Sequence, residues 1–189
     1  MDIRCFIAIE LPAELKKNID VYMERLRQTG ADVKWIPSEN LHLTLKFLGR
    51  TTEELLVDIN KRLLSITKLY NRFYIQVFSA GVFPNIKHPR VVWLGIQDSE
   101  EIIKLQRNID ESMAEFGFER EDREFSPHLT IGRVRSLKNK DMLIKELATL
   151  KDVDFGKIEV KRIAVMESKL KPSGAEYFRL NEIPVGKGI

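Results

Sequence analysis

Cysteine is almost absent from this chain, and its scarcity excludes a protein stabilised by internal disulfides. Cys5 is the single cysteine among the 189 residues, so no disulfide can form within the chain. It lies in the apolar stretch CFIAI, where a free cysteine behaves as a small buried hydrophobic residue. A protein without internal disulfides is typical of a reducing compartment, and we expect it in the cytoplasm.

Long apolar segments and a strong charge imbalance are also missing. No apolar run approaches the ~18 residues that a membrane-spanning helix needs, and the one near the N-terminus is too short for a signal peptide. The chain has 31 basic and 28 acidic residues, with the basic ones scattered rather than clustered. This balance allows a polyanionic partner without requiring one. We expect no membrane association.

Strand and helix patterns alternate along the chain, and no linker or low-complexity segment divides them. Strands are predicted at 3–10, 33–36, 41–48, 73–83, 90–96, 126–134, 157–167 and 176–181. Four amphipathic helices lie between them; a capping box from Thr51 to Glu54 begins the second, and Ser99 caps the third. The series of helix, motif strand and helix occurs twice. We therefore predict an α+β fold of two pseudo-symmetric lobes, each an antiparallel sheet flanked by helices, with a cleft between them. We interpret residues 1–189 as a single bilobal domain and expect a monomer.

The tripeptide His-Leu-Thr occurs twice, at 42–44 and 128–130, although the chain has three histidines and seven threonines. Random placement would give two such His-x-Thr pairs in roughly 1 of 250 chains of this composition. Threonine suits strands, so a single copy could be an ordinary amphipathic strand. Two copies favour a functional origin.

Alternation along a strand predicts which residues share a face. In LHLTLKF, it places His42, Thr44 and Lys46 on one face, and the leucines and the phenylalanine on the other. In HLTIG, it places His128 and Thr130 together. We expect the leucine face to form the core and the histidine face to border solvent or a cleft.

Two lobes packed face to face would bring both imidazoles and both hydroxyls into one cleft. Imidazole titrates near pH 6.5, so one ring can be neutral while the other is charged. Such a pair supplies a general base and a general acid without a metal, and hydroxyls can donate hydrogen bonds to a bound anion. This chemistry suits in-line displacement at phosphorus.

Arg133 is the candidate for a fixed positive charge, because a guanidinium matches phosphate with two hydrogen bonds. Strict alternation points Arg133 away from His128. However, Gly132 lies between them, and a glycine within a strand often marks a bulge that restores the facing. The residues alone leave a phosphate ligand and a solvated arginine equally open. For Lys46, too, a phosphate contact and a solvated side chain both stay open.

The segments HLTLKFLG and PHLTIGRV resemble the twin His-x-Thr motifs of the 2H phosphoesterases. The most similar branch is that of the RNA 2′,3′-cyclic phosphodiesterases, also called 2′-5′ RNA ligases. The segments RCFIAIELP, VKWIPSEN and GVFPNIKHPRVVWLGI extend the resemblance over nearly the whole chain. It implies a bilobal fold and hydrolysis of an RNA or nucleotide 2′,3′-cyclic phosphate to a 2′-phosphomonoester. No metal or other cofactor is implied.

The same resemblance implies roles for the motif residues. His42 with Thr44 and His128 with Thr130 would line the cleft between the lobes, and Arg133 would contact phosphate. Since the 3′ oxygen leaves when a 2′-phosphate forms, His42 is by analogy the proton donor and His128 the proton acceptor. The symmetry of the two motifs leaves the opposite assignment open.

Four alternatives stay open at this point. The first is a metal site, but no carboxylate or cysteine stands at ligand spacing beside either motif histidine, and threonine is a poor zinc ligand. The second is a non-catalytic RNA- or nucleotide-binding module, although binding would not require two titratable side chains. The third is a 2H phosphodiesterase acting on another cyclic phosphate or an oligonucleotide. The fourth is ligation of a cyclic phosphate end to a 5′-hydroxyl, which a catalyst accelerates together with hydrolysis.

Overall fold

The computed structural model describes residues 2–97, 100–172 and 174–186. Within these ranges the chain forms nine strands, four α-helices and one short 3-10 helix at Ser38–Asn40. The strands are β1 (Asp2–Glu10), β2 (Val33–Trp35), β3 (His42–Thr52), β4 (Phe73–Phe83), β5 (Val91–Gln97), β6 (His128–Val134), β7 (Asp154–Val160), β8 (Arg162–Lys171) and β9 (Gly174–Pro184). The helices are α1 (Ala13–Arg27), α2 (Glu53–Thr67), α3 (Glu100–Ala114) and α4 (Lys140–Ala148).

The strands form two antiparallel sheets. The first sheet has the order β3-β1-β8-β9, and the second has the order β2-β6-β5-β4-β7. The predicted α+β fold with two lobes is confirmed. The first sheet takes its strands from both ends of the chain, whereas the second takes most of its strands from the middle. The two motif strands, β3 and β6, belong to different sheets.

Two of the four helices, α1 and α3, contact the sheet of the other lobe, whereas α2 and α4 contact the sheet of the strand that precedes them. Helix α1 follows β1 of the first sheet but contacts β7 of the second, and α3 follows β5 of the second sheet but contacts β3 of the first. One hydrophobic cluster contains buried residues of both sheets and of all four helices. The lobes therefore share a core. None of the described helices is long and apolar enough to cross a membrane.

Two sequence-based boundaries are wrong. The single strand predicted over 157–167 is two strands, β7 and β8, which separate at Lys161 and join different sheets. The helix cap predicted at Thr51 is at Thr52, whose side-chain oxygen accepts a hydrogen bond from the Leu55 N–H. Thr51 is instead buried at the end of β3. The predicted cap at Ser99 lies outside the described residues.

Candidate active site

The two motif histidines occupy equivalent places in the fold. His42 is the first residue of β3 and His128 is the first residue of β6, and these two strands contact one another although they belong to different sheets. In each motif the leucine between histidine and threonine is fully buried in the shared core. Because side chains alternate along a strand, the half-buried His and Thr side chains lie on the sheet faces opposite that core.

A β-bulge follows the first motif. Thr44 pairs with Ala8 of β1 and Lys46 pairs with Ile7, so Leu45 has no partner residue in β1. A bulge inserts one extra residue and reverses the facing of the residues beyond it. Strict alternation along β3 therefore ends three residues after the motif histidine.

This bulge reverses the predicted faces of two residues. Lys46 is only 3% exposed, and its Nζ lies 2.5 Å from Oδ1 of Asp110 on α3. Phe47 is 62% exposed and pairs with Phe6 of β1, with the ring centroids 6.1 Å apart. The prediction that Lys46 shares the face of His42 and that Phe47 is in the core is wrong. Lys46 is neither solvated nor free to contact phosphate.

An equivalent bulge follows the second motif. Thr130 pairs with Trp93 of β5 and Gly132 pairs with Val92, so Ile131 has no partner residue in β5. Ile131 lies three residues after its motif histidine, the same spacing as in the first motif strand. The bulge that the glycine suggested is present.

The second bulge determines on which face of the sheet the Arg133 side chain lies. Ile131 is buried in the core, and Val134 also packs against it. Arg133, directly before Val134, is exposed. Arg133 therefore returns to the face that carries His128 and Thr130, in place of the opposite face that strict alternation predicts.

Both imidazoles are held by the same kind of backbone contact. Nδ1 of His42 lies 2.8 Å from the carbonyl oxygen of Asn40, and Nδ1 of His128 lies 2.8 Å from that of Ser126. A carbonyl oxygen can only accept, so this contact assigns a hydrogen to Nδ1 in each ring. Nε2 then accepts a proton when the ring is neutral and donates one when the ring is charged.

The ring of His42 lies among aromatic side chains. Its centroid is 4.7 Å from that of Phe6 and 5.1 Å from that of Tyr177. Burial lowers the pKa of His42 below its usual 6.5; the hydrogen bond to the Asn40 carbonyl opposes this shift, and the charge of Lys16 adds to it. In the free protein this ring is therefore neutral at neutral pH.

The ring of His128 borders an open pocket of about 440 Å³. Phe83 packs edge-on against His128 with centroids 5.1 Å apart, and Phe83 also contacts Trp93 at 5.2 Å. A Cβ atom at Gly81 would lie 2.5 Å from the Trp93 ring, and one at Gly95 would lie 3.3 Å from it, so these glycines make room for the indole. Sequence reasoning did not place Phe83 or Trp93 at the site. The sequence signal that could have identified them is a nearby glycine in the same strand, Gly81 for Phe83 and Gly95 for Trp93.

The arrangement thus offers two imidazoles, two hydroxyls and one guanidinium on two contacting strands. Among the described residues, no group of three or more His, Cys, Asp or Glu side chains is arranged to hold a metal ion. Imidazoles and hydroxyls of this kind can transfer protons and bind an anion.

Comparison with known proteins identifies the family of this chain. A two-lobed α+β fold with a His-x-Thr strand in each sheet defines the class of 2H phosphoesterases. The family model of the 2′-5′ RNA ligase superfamily matches residues 15–171. The chain belongs to the 2′-5′ RNA ligase superfamily.

Curated relatives cover nearly the full chain. A Methanothermobacter thermautotrophicus protein is 37% identical over 94% of this chain and 96% of its own length. A Methanocaldococcus jannaschii protein is 38% identical over 95% of this chain and 99% of its own length. Both are named RNA 2′,3′-cyclic phosphodiesterase.

Solved structures share the fold. TT0787 of Thermus thermophilus superposes with a TM-score of 0.80 at 26% identity, covering 98% of this chain and 100% of its own. The apo form of E. coli LigT superposes with a TM-score of 0.77 at 22% identity, covering 99% of each chain. The second likeness is one of fold alone.

Proposed function

We propose that this enzyme hydrolyses the 2′,3′-cyclic phosphate of an RNA end or a nucleotide to a 2′-phosphomonoester, without a metal ion. The observation that carries the proposal is the matched pair of imidazoles. His42 and His128 stand at the same position of two contacting strands, and both are oriented by an Nδ1 contact to the carbonyl two residues earlier. The names of the curated relatives support the choice of substrate.

In this reaction each ring acts through Nε2. His128 accepts a proton from water as the water oxygen attacks phosphorus. The bond from phosphorus to the 3′ oxygen breaks, and that oxygen takes a proton from His42, which leaves the phosphate on the 2′ oxygen. General acid–base catalysis of this kind contributes typically ~10²–10⁴-fold per group. The rings exchange protons with solvent before the next turnover.

The remaining site residues hold the phosphate. Thr44 and Thr130 donate hydrogen bonds to the non-bridging phosphoryl oxygens, where negative charge develops. Arg133, brought to the same face by the bulge, neutralises that charge with its guanidinium.

The proton donor must be charged, whereas burial lowers the pKa of His42 in the free enzyme. An anionic phosphodiester beside the ring favours the imidazolium and raises this pKa. Substrate binding therefore protonates His42 in the proposed cycle. With a 5′-hydroxyl in place of water, the same groups would catalyse 2′-5′ ligation.

The proposal is tested by product identity. The enzyme is incubated in EDTA with an oligoribonucleotide ending in a 2′,3′-cyclic phosphate, and the phosphomonoester formed is separated from authentic 2′- and 3′-phosphate standards. We expect the 2′-phosphate alone, at a rate that EDTA does not change. A 3′-phosphate product would exclude the assigned leaving oxygen. Tight binding of the oligonucleotide without turnover would instead identify a binding module.

A further inference from the structure

Two arginines lie directly opposite one another in the first sheet. Arg4 of β1 pairs with Arg50 of β3, and both side chains are exposed. Among the described residues, neither side chain forms an ion pair or a hydrogen bond, not even with Asp2 at the start of β1. Like charges directly opposite one another in a sheet repel and destabilise it. A bound anion would offset this repulsion.

The arginine pair lies on the face of the sheet that carries the first motif histidine. Cys5, between Arg4 and Phe6, is buried in the core, so alternation places Arg4 on the same face as Phe6. The ring of Phe6 lies 4.7 Å from that of His42. Arg50 is the cross-strand partner of Arg4 and therefore shares this face.

Every other basic residue in the strands of the first sheet is neutralised by a carboxylate. These ion-paired residues are Lys46, Arg162, Lys169, Lys171 and Arg179. The uncompensated positive charge of this sheet is therefore that of Arg4 and Arg50.

The distance from the reacting phosphate indicates which anion the pair can bind. Arg4 lies four residues along β1 from Ala8, which pairs with Thr44 of the motif. At ~3.4 Å per residue, the arginine pair is about 13 Å from Thr44 along the strands. The phosphates of neighbouring nucleotides are closer together than this. A ligand of the pair is therefore a phosphodiester further along an RNA, rather than the cyclic phosphate itself.

The proposed reaction directs the RNA over this sheet. The 3′ oxygen that takes the proton from His42 belongs to the terminal ribose, so that ribose lies on the side of His42, against the first sheet. Its 5′ oxygen continues the RNA into the next phosphodiester. Water, or an incoming 5′-hydroxyl, approaches from the side of His128. The upstream RNA and the arginine pair are thus on the same side of the site.

We propose that Arg4 and Arg50 together bind an internal phosphodiester of the RNA, upstream of the nucleotide that carries the cyclic phosphate. This inference rests on the proposed function and names the substrate as an RNA end of several nucleotides rather than a mononucleotide. Two guanidinium groups can donate hydrogen bonds to both non-bridging oxygens of one phosphate. Contacts of this kind do not depend on the base sequence.

Arg72 provides a matched control. It is an exposed arginine that directly precedes β4. Phe83, which packs against His128, is at the opposite end of this strand of 11 residues. Its replacement by glutamine removes the same charge at a place far from the site.

The experiment compares a short and a long substrate. The kcat/KM is measured for uridine 2′,3′-cyclic phosphate and for a uridine tetranucleotide with the same cyclic end and a 5′-hydroxyl. The proteins are the wild type, Arg4→Gln, Arg50→Gln, Arg50→Glu and Arg72→Gln. We expect the wild type to prefer the tetranucleotide. At about 0.05 M salt, Arg4→Gln and Arg50→Gln should each lower the ratio of the tetranucleotide value to the mononucleotide value by about 5-fold or more. Arg50→Glu should lower this ratio further, because the carboxylate also neutralises Arg4, and Arg72→Gln should leave it unchanged.

Salt dependence gives a second readout. Each phosphate contact to a single strand contributes about 0.7 to the slope of log affinity against log salt concentration. For the tetranucleotide, the slope of log kcat/KM should therefore become shallower by about 0.7 in Arg4→Gln and in Arg50→Gln. Both variants should be at least as stable in urea as the wild type, because each removes a repulsive pair.

Each other result is decisive. The inference is overturned by an unchanged ratio in both glutamine variants, by an equal fall in Arg72→Gln, or by a wild type that does not prefer the tetranucleotide. An equal loss with both substrates, together with lower stability, would assign the arginines to the fold and also overturn it. All of these results leave the proposed function standing. If the wild type hydrolyses neither substrate, the proposed function itself is rejected.

Discussion

The ammonium of Lys46 lies 2.5 Å from a carboxylate oxygen of Asp110, and both residues are buried. Lys46 also donates to the carbonyl of Glu119, and the N–H of Glu121 donates to the carboxylate of Asp110. This network joins the strand of the first motif to the segment that leads from α3 to the second motif. The structure thus connects both halves of the site through one buried ion pair.

Removal of one partner of this pair should be strongly destabilising. In Asp110→Ala the buried ammonium loses its nearest counter-ion and keeps only the exposed Glu121 carboxylate at 3.8 Å, and we expect the free energy of unfolding to fall by about 3–5 kcal/mol. The double variant Lys46→Met, Asp110→Leu removes both charges and should recover most of this loss. Urea unfolding measures the free energy of unfolding of the wild type, the single variant and the double variant.

An exposed ion pair serves as the control for that measurement. Arg62 and Glu115 are 2.7 Å apart with both side chains well exposed, and Glu115→Ala should cost only about 0–1 kcal/mol. A cost for Asp110→Ala no larger than for Glu115→Ala would contradict a stabilising role of the buried pair.

His42 should make stability depend on pH. Burial holds its pKa in the folded protein below 6.5, whereas the unfolded chain keeps the ordinary value. As pH falls, the unfolded state binds the proton first. The contribution of His42 to the free energy of unfolding is therefore fully present above the unfolded pKa and is lost as pH falls towards the folded pKa. Between about pH 8 and about pH 5 we expect the wild type to lose more unfolding free energy than His42→Gln. Equal losses would show that burial of this ring has no such effect.

Sulfur in place of the 3′ oxygen distinguishes the proton donor from the acceptor. A thiolate leaves without being protonated, because thiols are much more acidic than alcohols. With the 3′-thio analogue of a nucleoside 2′,3′-cyclic phosphate, we expect His42→Asn to regain most of its lost rate and His128→Asn to regain none. The reverse pattern would exchange the two roles.

The threonines should matter less than the histidines. Thr44→Val and Thr130→Val remove one hydrogen-bond donor each, and we expect kcat/KM to fall by ~10²-fold. The corresponding serine variants keep the hydroxyl and should retain most of the activity. A valine variant slower than the histidine variants would contradict the proposed roles.

Alternation predicted the faces of His42, Thr44, His128 and Thr130 but failed beyond them. The pattern of a single strand does not contain its register with a neighbour, and that register places the bulge. In β6, Gly132 gave a sign of the bulge, whereas in β3 the residues Leu45 and Lys46 give none. Only the structure therefore shows which face of the sheet Lys46 and Phe47 occupy.

The number of lobes was predictable from the sequence. Which segments change from one lobe to the other was not. Buried apolar residues lie on both sides of the exposed Lys161 and Arg162, in β7 and in β8, and two charged residues do not by themselves show that the chain changes sheet. Likewise, the apolar stripes of α1 and α3 show that each helix is covered but not by which sheet. Packing of distant segments decides both features.

The central claim is that His42 and His128 transfer protons at one phosphorus atom. It is tested most directly by single-turnover hydrolysis, in EDTA, of an oligonucleotide with a 2′,3′-cyclic phosphate end. Asparagine can keep the Nδ1-like donor to the backbone carbonyl but lacks Nε2. We predict that His42→Asn and His128→Asn are each ~10²–10⁴-fold slower than the wild type, with little change in affinity for the 2′-phosphate product. A rate within about 10-fold of the wild type in either variant would contradict the account.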